Sequence, residues 1–585
     1  MEEKFPDLYP YFEMIYTKKR KTLYEGHFIS VLIGLIQGCG FGPLACASAL
    51  SGLTGKAMVE LRKLDPESMG VMLMDDMTLA GEESSVIKVL EIIKEIGPLG
   101  YGAVINPPKT IILALDSKNS CPDSSFPNSK RIMIAKNDGF DVGSKREESG
   151  TRLLGSPIGP KEYCIKYFLD RFQTHYKPIL EKIKSLNHPG VNWRLWQILS
   201  LKGGMIHILR TTQPRLISGA FPEIELEIRR FFEYAIFGRT LTDQQWEIAQ
   251  LPFALGGWNV IPFEVMSPCA YLASLLVNRE KVIGFRPEAS DRLDQEIKVT
   301  TELILKNDPG AKLPDLSKCP KQKDLVRAVM ESRAKALEDS IVDKRMLAVL
   351  NGGKAPHANL WKTADHTPEN LMNAKTFQIA AQYSVGAPIL EKEILCPICK
   401  KAPLDVHGDH ALICMNHGTV VNRHNDLYRH LVKTGREGLV SIQTERELIF
   451  LDKTTWKADL LILKGIPGLT SLPTALDLTV TCNFNKTTVN RSAKEPLAAA
   501  MSGETRKMKE FDRKVKEIGY EFVPLAFETT GGHSPTVAPV AHYLITQKAL
   551  MKNIPFGEVS NSFWQLLSVT MQKANALAIL ERIRV

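Results

Sequence analysis

The chain has 585 residues, 44% hydrophobic and 24% charged, which at roughly 100 to 200 residues per domain suggests about three to five packed units. That excludes a single small binding module, a wholly disordered chain and a collagen-like or mucin-like fibre. Lys plus Arg exceed Asp plus Glu by 74 to 65, a formal +9, which favours a polyanionic partner only where the excess is clustered.

The ten cysteines are too sparse for a disulfide scaffold and point to a reducing compartment. Met1 to Tyr16 carries Glu2, Glu3, Pro6 and Asp7 and has no apolar core, so it does not read as a signal peptide. A nuclear or intracellular protein, not a secreted one, is expected. Phe28 to Gly55 has no charged residue and is long enough for a bilayer of about 30 Å. Gln37, Gly38, Gly40, Gly42 and Pro43 divide it into two short pieces, so no membrane association is expected.

In chain order, Val71 to Met74 and Thr110 to Ala114 read as strands and Ser84 to Ile96 as a helix, from the spacing of Val86, Val89, Leu90 and Ile93. Asp116 to Gly150 is a polar surface insert holding one strand-like piece, Arg131 to Ala135. Lys161 to Arg215 turns helical and basic, with ten Lys/Arg against Glu162, Asp170 and Glu181. Tyr163, Tyr167, Phe168, Phe172, Tyr176, Trp193 and Trp196 are interleaved with these charges. Two readings stay open: rings and cations holding nucleic acid, or a solvated face over an aromatic core. Arg286 to Glu391 reads as a connector with helical patches around Asp324 to Val349. A Cys/His cluster, Cys396 to His430, then precedes strands and helices that run to Val585.

Two signals near the start stand in fixed order: Gln37-Gly38-Cys39-Gly40-Phe41-Gly42-Pro43, and the Asp75-Asp76 pair inside Met72 to Gly81. Adjacent carboxylates between apolar strands are often only a solvated turn. In two-metal phosphoryl transfer they hold Mg²⁺. Further downstream lie Asn106-Pro107-Pro108-Lys109-Thr110 and Leu153-Leu154-Gly155-Ser156-Pro157-Ile158-Gly159. This order resembles the reverse transcriptase of non-LTR retrotransposons. The resemblance implies a nucleotide and template site at Gln37, Gly38, Gly42, Pro43 and Lys109, and palm catalysis by Asp75 and Asp76 with Mg²⁺. It places the basic aromatic stretch in the thumb, and extends to Leu251-Pro252-Phe253-Ala254-Leu255-Gly256-Gly257-Trp258.

The sequence departs from the family pattern at Leu73, where an aromatic is usual, and at Cys39, where a polar residue is common. The family's first catalytic Asp lies well upstream of the Gln-Gly motif, and here Asp7 is the only Asp before Gln37. The expectation is therefore an N-terminally truncated polypeptide that lacks the fingers and the first palm carboxylate. No polymerase activity is expected from it alone.

Cys396-Pro397-Ile398-Cys399 followed by His410 and Cys414 has the spacing of a zinc site. His410 is preferred because it shares a helical face with Cys414 if that segment is helical; His407 and His417 are the alternatives. With Arg423-His424-Asn425 beyond it, this string resembles the knuckle preceding the endonuclease of the same retroelements, which would orient DNA.

Lys457 to Leu463 reads as a strand bearing Asp459, and Ala475 to Thr481 as a second. There Leu476, Leu478 and Val480 share one face and Asp477, Thr479 and Thr481 the other. An acid in so apolar a strand needs a partner, and a metal can serve. This pair resembles the PD-(D/E)xK restriction-like fold. Thr479 stands where its lysine is usual. In the retroelement branch a following helix supplies the lysine, which implies Lys507, on the face of Phe511 and nearly opposite Lys509. Glu445 is a further catalytic candidate, and His424 a lesser one.

The expected architecture is α/β multidomain: a partial reverse-transcriptase palm (1–160), helical thumb (161–285), helical connector (286–390), zinc knuckle (391–430) and restriction-like endonuclease (431–585). The resemblance implies target-primed reverse transcription on an RNA template and a DNA target, with deoxynucleotides used by the full-length enzyme. Zn²⁺ would sit in the knuckle, and Mg²⁺ at Asp75, Asp76, Asp459 and Asp477. The rival readings are a non-catalytic nucleic-acid-binding remnant or domesticated protein, and a stand-alone Mg²⁺-dependent DNA endonuclease.

Overall fold

A computed structural model describes residues 6–8, 10, 13, 20–24, 27–31, 42–73, 76–106, 110–114, 130–133, 150–198, 201–365, 367–416 and 418–583. The chain is a mixed α/β protein with two compact units, 1–151 with 158–163, and 152–157 with 164–585. No helix among the described residues is long and apolar enough to cross a membrane.

In the first unit, β1 (Arg20–Tyr24) and β2 (His27–Val31) form an antiparallel pair. Helix α1 (Gly42–Leu64) begins at Gly42-Pro43; a proline in the first turn gives up an N–H that has no helical partner anyway. Strands β3 (Met69–Leu73) and β4 (Asp76–Ala80) pair antiparallel, closing at Leu73 and Asp76. Helix α2 (Glu83–Tyr101) presents Val89 and Ile93 to Leu53, Ala57 and Leu61 of α1. Spacings of three and four along each helix produce these facing apolar stripes. Strands β5 (Ile111–Ala114) and β6 (Lys130–Met133) run parallel.

The second unit begins with helices. Among them, α3 (Pro189–Ile198) and α4 (Phe221–Phe232) sit around an aromatic core in which Trp193 meets Trp258 edge-on at 4.9 Å and Trp196 meets Phe232 at 4.9 Å. Phe168, Phe172 and Tyr176 are buried as well. Of the two readings of the basic stretch, these rings follow the second: they are core, covered on both faces and closed to a stacking base. Lys362 is buried beside Trp258 and Trp361 and donates to the carbonyls of Gly256 (3.2 Å) and Gly257 (2.9 Å). Burial holds its amine well below the ordinary lysine range.

Farther along lie α5 (Phe263–Phe285), α6 (Lys344–Gly353) and α7 (Ala374–Ser384), then the two-residue strands β7 (Ile394–Leu395) and β8 (Pro403–Leu404). Helix α8 (Thr419–Glu437) leads into a four-stranded sheet in the order β9 (Ile442–Ile449), β10 (Thr455–Ile462), β11 (Thr474–Thr481), β12 (Glu521–Glu528). The first two pairings are antiparallel. β11 and β12 are parallel, which requires a crossover, supplied by α9 (Ala498–Glu517). Leu460, Ile462, Leu476, Leu478, Leu525 and Phe527 pack against α8, α10 (Val537–Lys552) and α11 (Phe556–Ile583). Leu461, Ala475 and Phe522 pack against Val515, Phe511 and Met508 of α9. With apolar cover on both faces, β11 is buried through Thr479.

Candidate active site and metal centre

The antiparallel β7–β8 pair carries the Cys396–Cys399 turn, in which the Cys396 N–H donates to Ala402 O and the Lys400 N–H to Cys396 O, both at 2.9 Å. A 3-10 turn, Asp409–Leu412, brings in His410, and Cys414 follows just beyond it, its N–H donating to His410 O at 3.0 Å. The donor atoms of Cys396, Cys399, His410 and Cys414 all lie within 4.8 Å of one another. Cys399 Sγ is 3.3 Å from His410 Nε2. The N–H groups of Lys401 and Ala402 hold the Cys399 thiol down to about 6, which favours the thiolate a metal requires. Three thiols and one imidazole fit a structural zinc site. His407 instead turns its Nδ1 toward Ala387 O, 3.4 Å away, and His417 lies outside the described residues.

The cluster is framed by charges. Asp405 accepts the N–H groups of His407, Asp409 and His410. Asp409 receives a two-pronged contact from Arg345 of α6 (2.6 and 2.8 Å) and the Tyr383 hydroxyl of α7 (2.9 Å). Between them Gly408 takes φ = +80°, and a Cβ there would stand 2.9 Å from Ile579 of α11, so only glycine fits. On the other side two buried arginines reach carbonyls: Arg423 donates to Leu412 O (3.0 Å), and Arg582 to Cys414 O and Asn416 O (3.3 Å each).

In the sheet, the β10–β11 ladder stops at Leu460 and Leu476. The next register positions are Asp459 and Asp477. There the Leu478 N–H donates to Asp459 Oδ2 at 2.7 Å, so a carboxylate replaces the backbone carbonyl as acceptor. Asp459 Oδ2 also lies 3.3 Å from His424 Nε2 of α8, a contact that raises the His424 pKa. Asp477 is 5% exposed, and Lys507 Nζ of α9 stands 2.7 Å from its Oδ2. Burial raises the Asp477 pKa, Lys507 opposes that shift and the Asp459 charge adds to it. Lys507 is also 5.2 Å from the centroid of the Phe511 ring, one helical turn along the same face. Arg506 reaches Thr479 Oγ1 at 3.2 Å.

Glu445 stands apart from this pair. It lies opposite Asp459 in register but drops out of the β9–β10 ladder at φ = +52°, and its exposed carboxylate pairs with Lys457 at 3.0 Å. Of the palm candidates, Asp76 opens β4 and is exposed, and Gly42 and Pro43 are the first residues of α1. Gln37, Gly38, Asp75 and Lys109 lie outside the described residues. Among the described residues, the Cys/His cluster is the one convergent set of three or more His, Cys, Asp or Glu donors.

Arg345 and Arg582 were not picked out by motif or spacing, and Arg423 was named only within the Arg423-His424-Asn425 string, without a role. Arg423 did carry a signal, since it lies four and eight residues before Leu427 and Leu431 on one apolar stripe. Arg345 and Arg582 meet partners distant in sequence, which periodicity does not encode. No protein-family model matches this chain. No curated protein matches it at a significant level.

Proposed function

We propose that this chain is a retroelement polypeptide of the non-LTR reverse-transcriptase class and that its C-terminal domain is a Mg²⁺-dependent DNA endonuclease. The observation that carries the nuclease reading is the pairing of Asp459 and Asp477 at the point where the β10–β11 ladder ends, with Lys507 Nζ 2.7 Å from Asp477. The polymerase part of the reading rests on the order of the Gln-Gly, Asp-Asp, Asn-Pro-Pro-Lys and Leu-Gly-Ser-Pro motifs.

Asp459 and Asp477 would hold the metal. A buried carboxylate whose one close cation is Lys507, 2.7 Å from Asp477 Oδ2, suits a place beside further positive charge. Bound Mg²⁺ would supply positive charge to a phosphodiester oxygen and lower the pKa of a ligated water. The protein's own part is positioning. The Leu478 N–H and His424 fix the orientation of Asp459. Lys507, held over Phe511, is placed to donate to a phosphate oxygen as negative charge develops there. The Cys/His knuckle would orient the DNA.

Nicking of supercoiled plasmid in Mg²⁺ is the test. Nicking by the whole chain, lost in Asp477→Ala and retained in Cys396→Ala under excess DNA, is the expected result. Equal nicking by Asp477→Ala would remove the nuclease assignment. A whole chain that binds DNA in Mg²⁺ without nicking it would favour the non-catalytic reading.

A further inference from the structure

A second feature of the chain stands outside the nuclease reading and does not depend on it. A cavity of about 620 Å³ lies between α3, the turn after α4 and the start of α7, within the roughly 300–1,000 Å³ usual for small-ligand sites. Its wall is a π-helical turn, Glu233–Phe237, ended by Gly238 at φ = +64°. Such widened turns are rare and are often found at functional sites.

The lining carries more cations than acids. Lys184, Arg230, Arg239 and Lys375 line it against one acid, Glu233, whose carboxylate is engaged by Arg229 and by the Leu241 N–H, each at 3.0 Å; beyond the lining, Arg230 also meets Glu227 at 2.9 Å and Lys184 meets Glu181 at 3.6 Å. Two buried polar atoms of the lining residues have no partner. Asn192, 1% exposed, donates through Nδ2 to Ala235 O at 3.1 Å and leaves Oδ1 unmatched. Arg239 donates through Nη1 to Pro388 O and leaves Nε unmatched. Unmet buried acceptors and donors of this kind are costly. Tyr234 adds a ring that is 62% exposed, with Lys184 Nζ 4.4 Å from its centroid. This ring, unlike those in the core, is reachable from solvent.

We propose that this cavity binds a nucleoside phosphate, its base stacked on Tyr234 and its phosphate held by the surrounding cations. The two sources of that chemistry are a free mononucleotide and an unpaired nucleotide of a single strand. A duplex keeps its base faces stacked inside and offers none to Tyr234.

The test measures binding of AMP by calorimetry, and of a labelled oligouridylate and a matched duplex by anisotropy, to the full chain, Tyr234→Ala, Tyr234→Phe and Arg230→Ala. Tyr234→Ala is expected to weaken AMP or the single strand by about 5-fold or more, with Tyr234→Phe close to the parent and the duplex unaffected. Arg230→Ala should flatten the salt dependence of strand binding, by a slope of about one if a phosphate contact is lost. Loss for AMP identifies the free nucleotide as a ligand, and loss for the strand alone identifies an unpaired residue. If AMP and the strand both fail to bind, or bind Tyr234→Ala as well as the parent, the proposal is overturned. Plasmid nicking reads a different site, so the two assignments fail separately.

Discussion

Arg423 and His424 are consecutive residues of α8 that hold two different parts of the second unit. The Arg423 guanidinium donates to Leu412 O beside the Cys/His cluster and to Asn575 Oδ1 of α11, while His424 Nε2 lies 3.3 Å from Asp459 Oδ2 in the sheet. Neighbours on a helix are turned about 100° from each other, so one rigid segment can contact both.

Metal loading at the cluster should therefore be felt on α8. Cys396→Ser is expected to lower bound zinc from about one per chain to near zero. It should also raise amide exchange at the start of α8, where Arg423 is anchored. Measured zinc content and hydrogen exchange over Thr419–Glu437 check this, and unchanged exchange in zinc-free protein would break the link.

Asp477 and Lys507 should behave as a buried ion pair. Removing the positive charge alone, in Lys507→Met, leaves a carboxylate that is 5% exposed without its counter-charge. Losses of about 3–5 kcal/mol are typical for such a change. The double variant Asp477→Asn with Lys507→Met should recover most of the loss. Urea unfolding of the four proteins gives the coupling directly, and additive effects would rule it out.

His430 sets an acid limit on stability. Burial is the main cause that pushes its pKa down to about 4, and Nε2 lies 3.1 Å from Phe563 O. The folded value lies below the unfolded one, about 6.5, so the unfolded chain binds the proton more readily. The associated stability is present above pH about 6.5 and is lost as pH falls through about 4, a swing of roughly 3 kcal/mol. His430→Gln should reduce the acid dependence over that window. Urea midpoints at neutral pH and near the lower limit measure it, and an equal drop in parent and variant would exclude His430 as the cause.

Gly257 should tolerate no side chain. Its Cβ would meet Leu251 O at 1.9 Å, in a turn where the Gly257 N–H already donates to Pro252 O. Because the obstacle is backbone, relaxation must move the chain beneath Trp258 and Lys362. Gly257→Ala is expected to lower the thermal midpoint by several degrees or prevent folding, and an unchanged midpoint would contradict the packing described.

Local periodicity made part of this chain legible. The alternation of β11 sets Asp477, Thr479 and Thr481 against Leu476, Leu478 and Val480, and the four-residue step from Lys507 to Phe511 identifies which lysine of α9 faces the sheet. The spacing of the Cys/His cluster is similarly local. The covering of Phe168, Phe172, Trp193 and Trp196 was not legible, because rings between cations look alike whether a core or a ligand covers them. Glu445 illustrates another limit: its register position faces Asp459, yet a left-handed φ takes it out of the ladder. Arg345, Lys362 and Arg582 meet partners distant in sequence, which no local pattern reports.

The parallel strand β12 ends the sheet beside Asp477, with Pro524 at the matching register position. Its outer side is already occupied by its own chain, since Ser534 donates its N–H to Ala526 O at 2.8 Å and Thr536 Oγ1 donates to Pro524 O at 2.8 Å. Proline has no N–H to offer a neighbouring strand. This margin is thus sealed against strand addition, whether by a second copy or by an extended peptide. Any association through strand pairing at this sheet is left to β9, whose charged run Glu445-Arg446-Glu447 would make the partner's sequence, not the backbone alone, decide what binds.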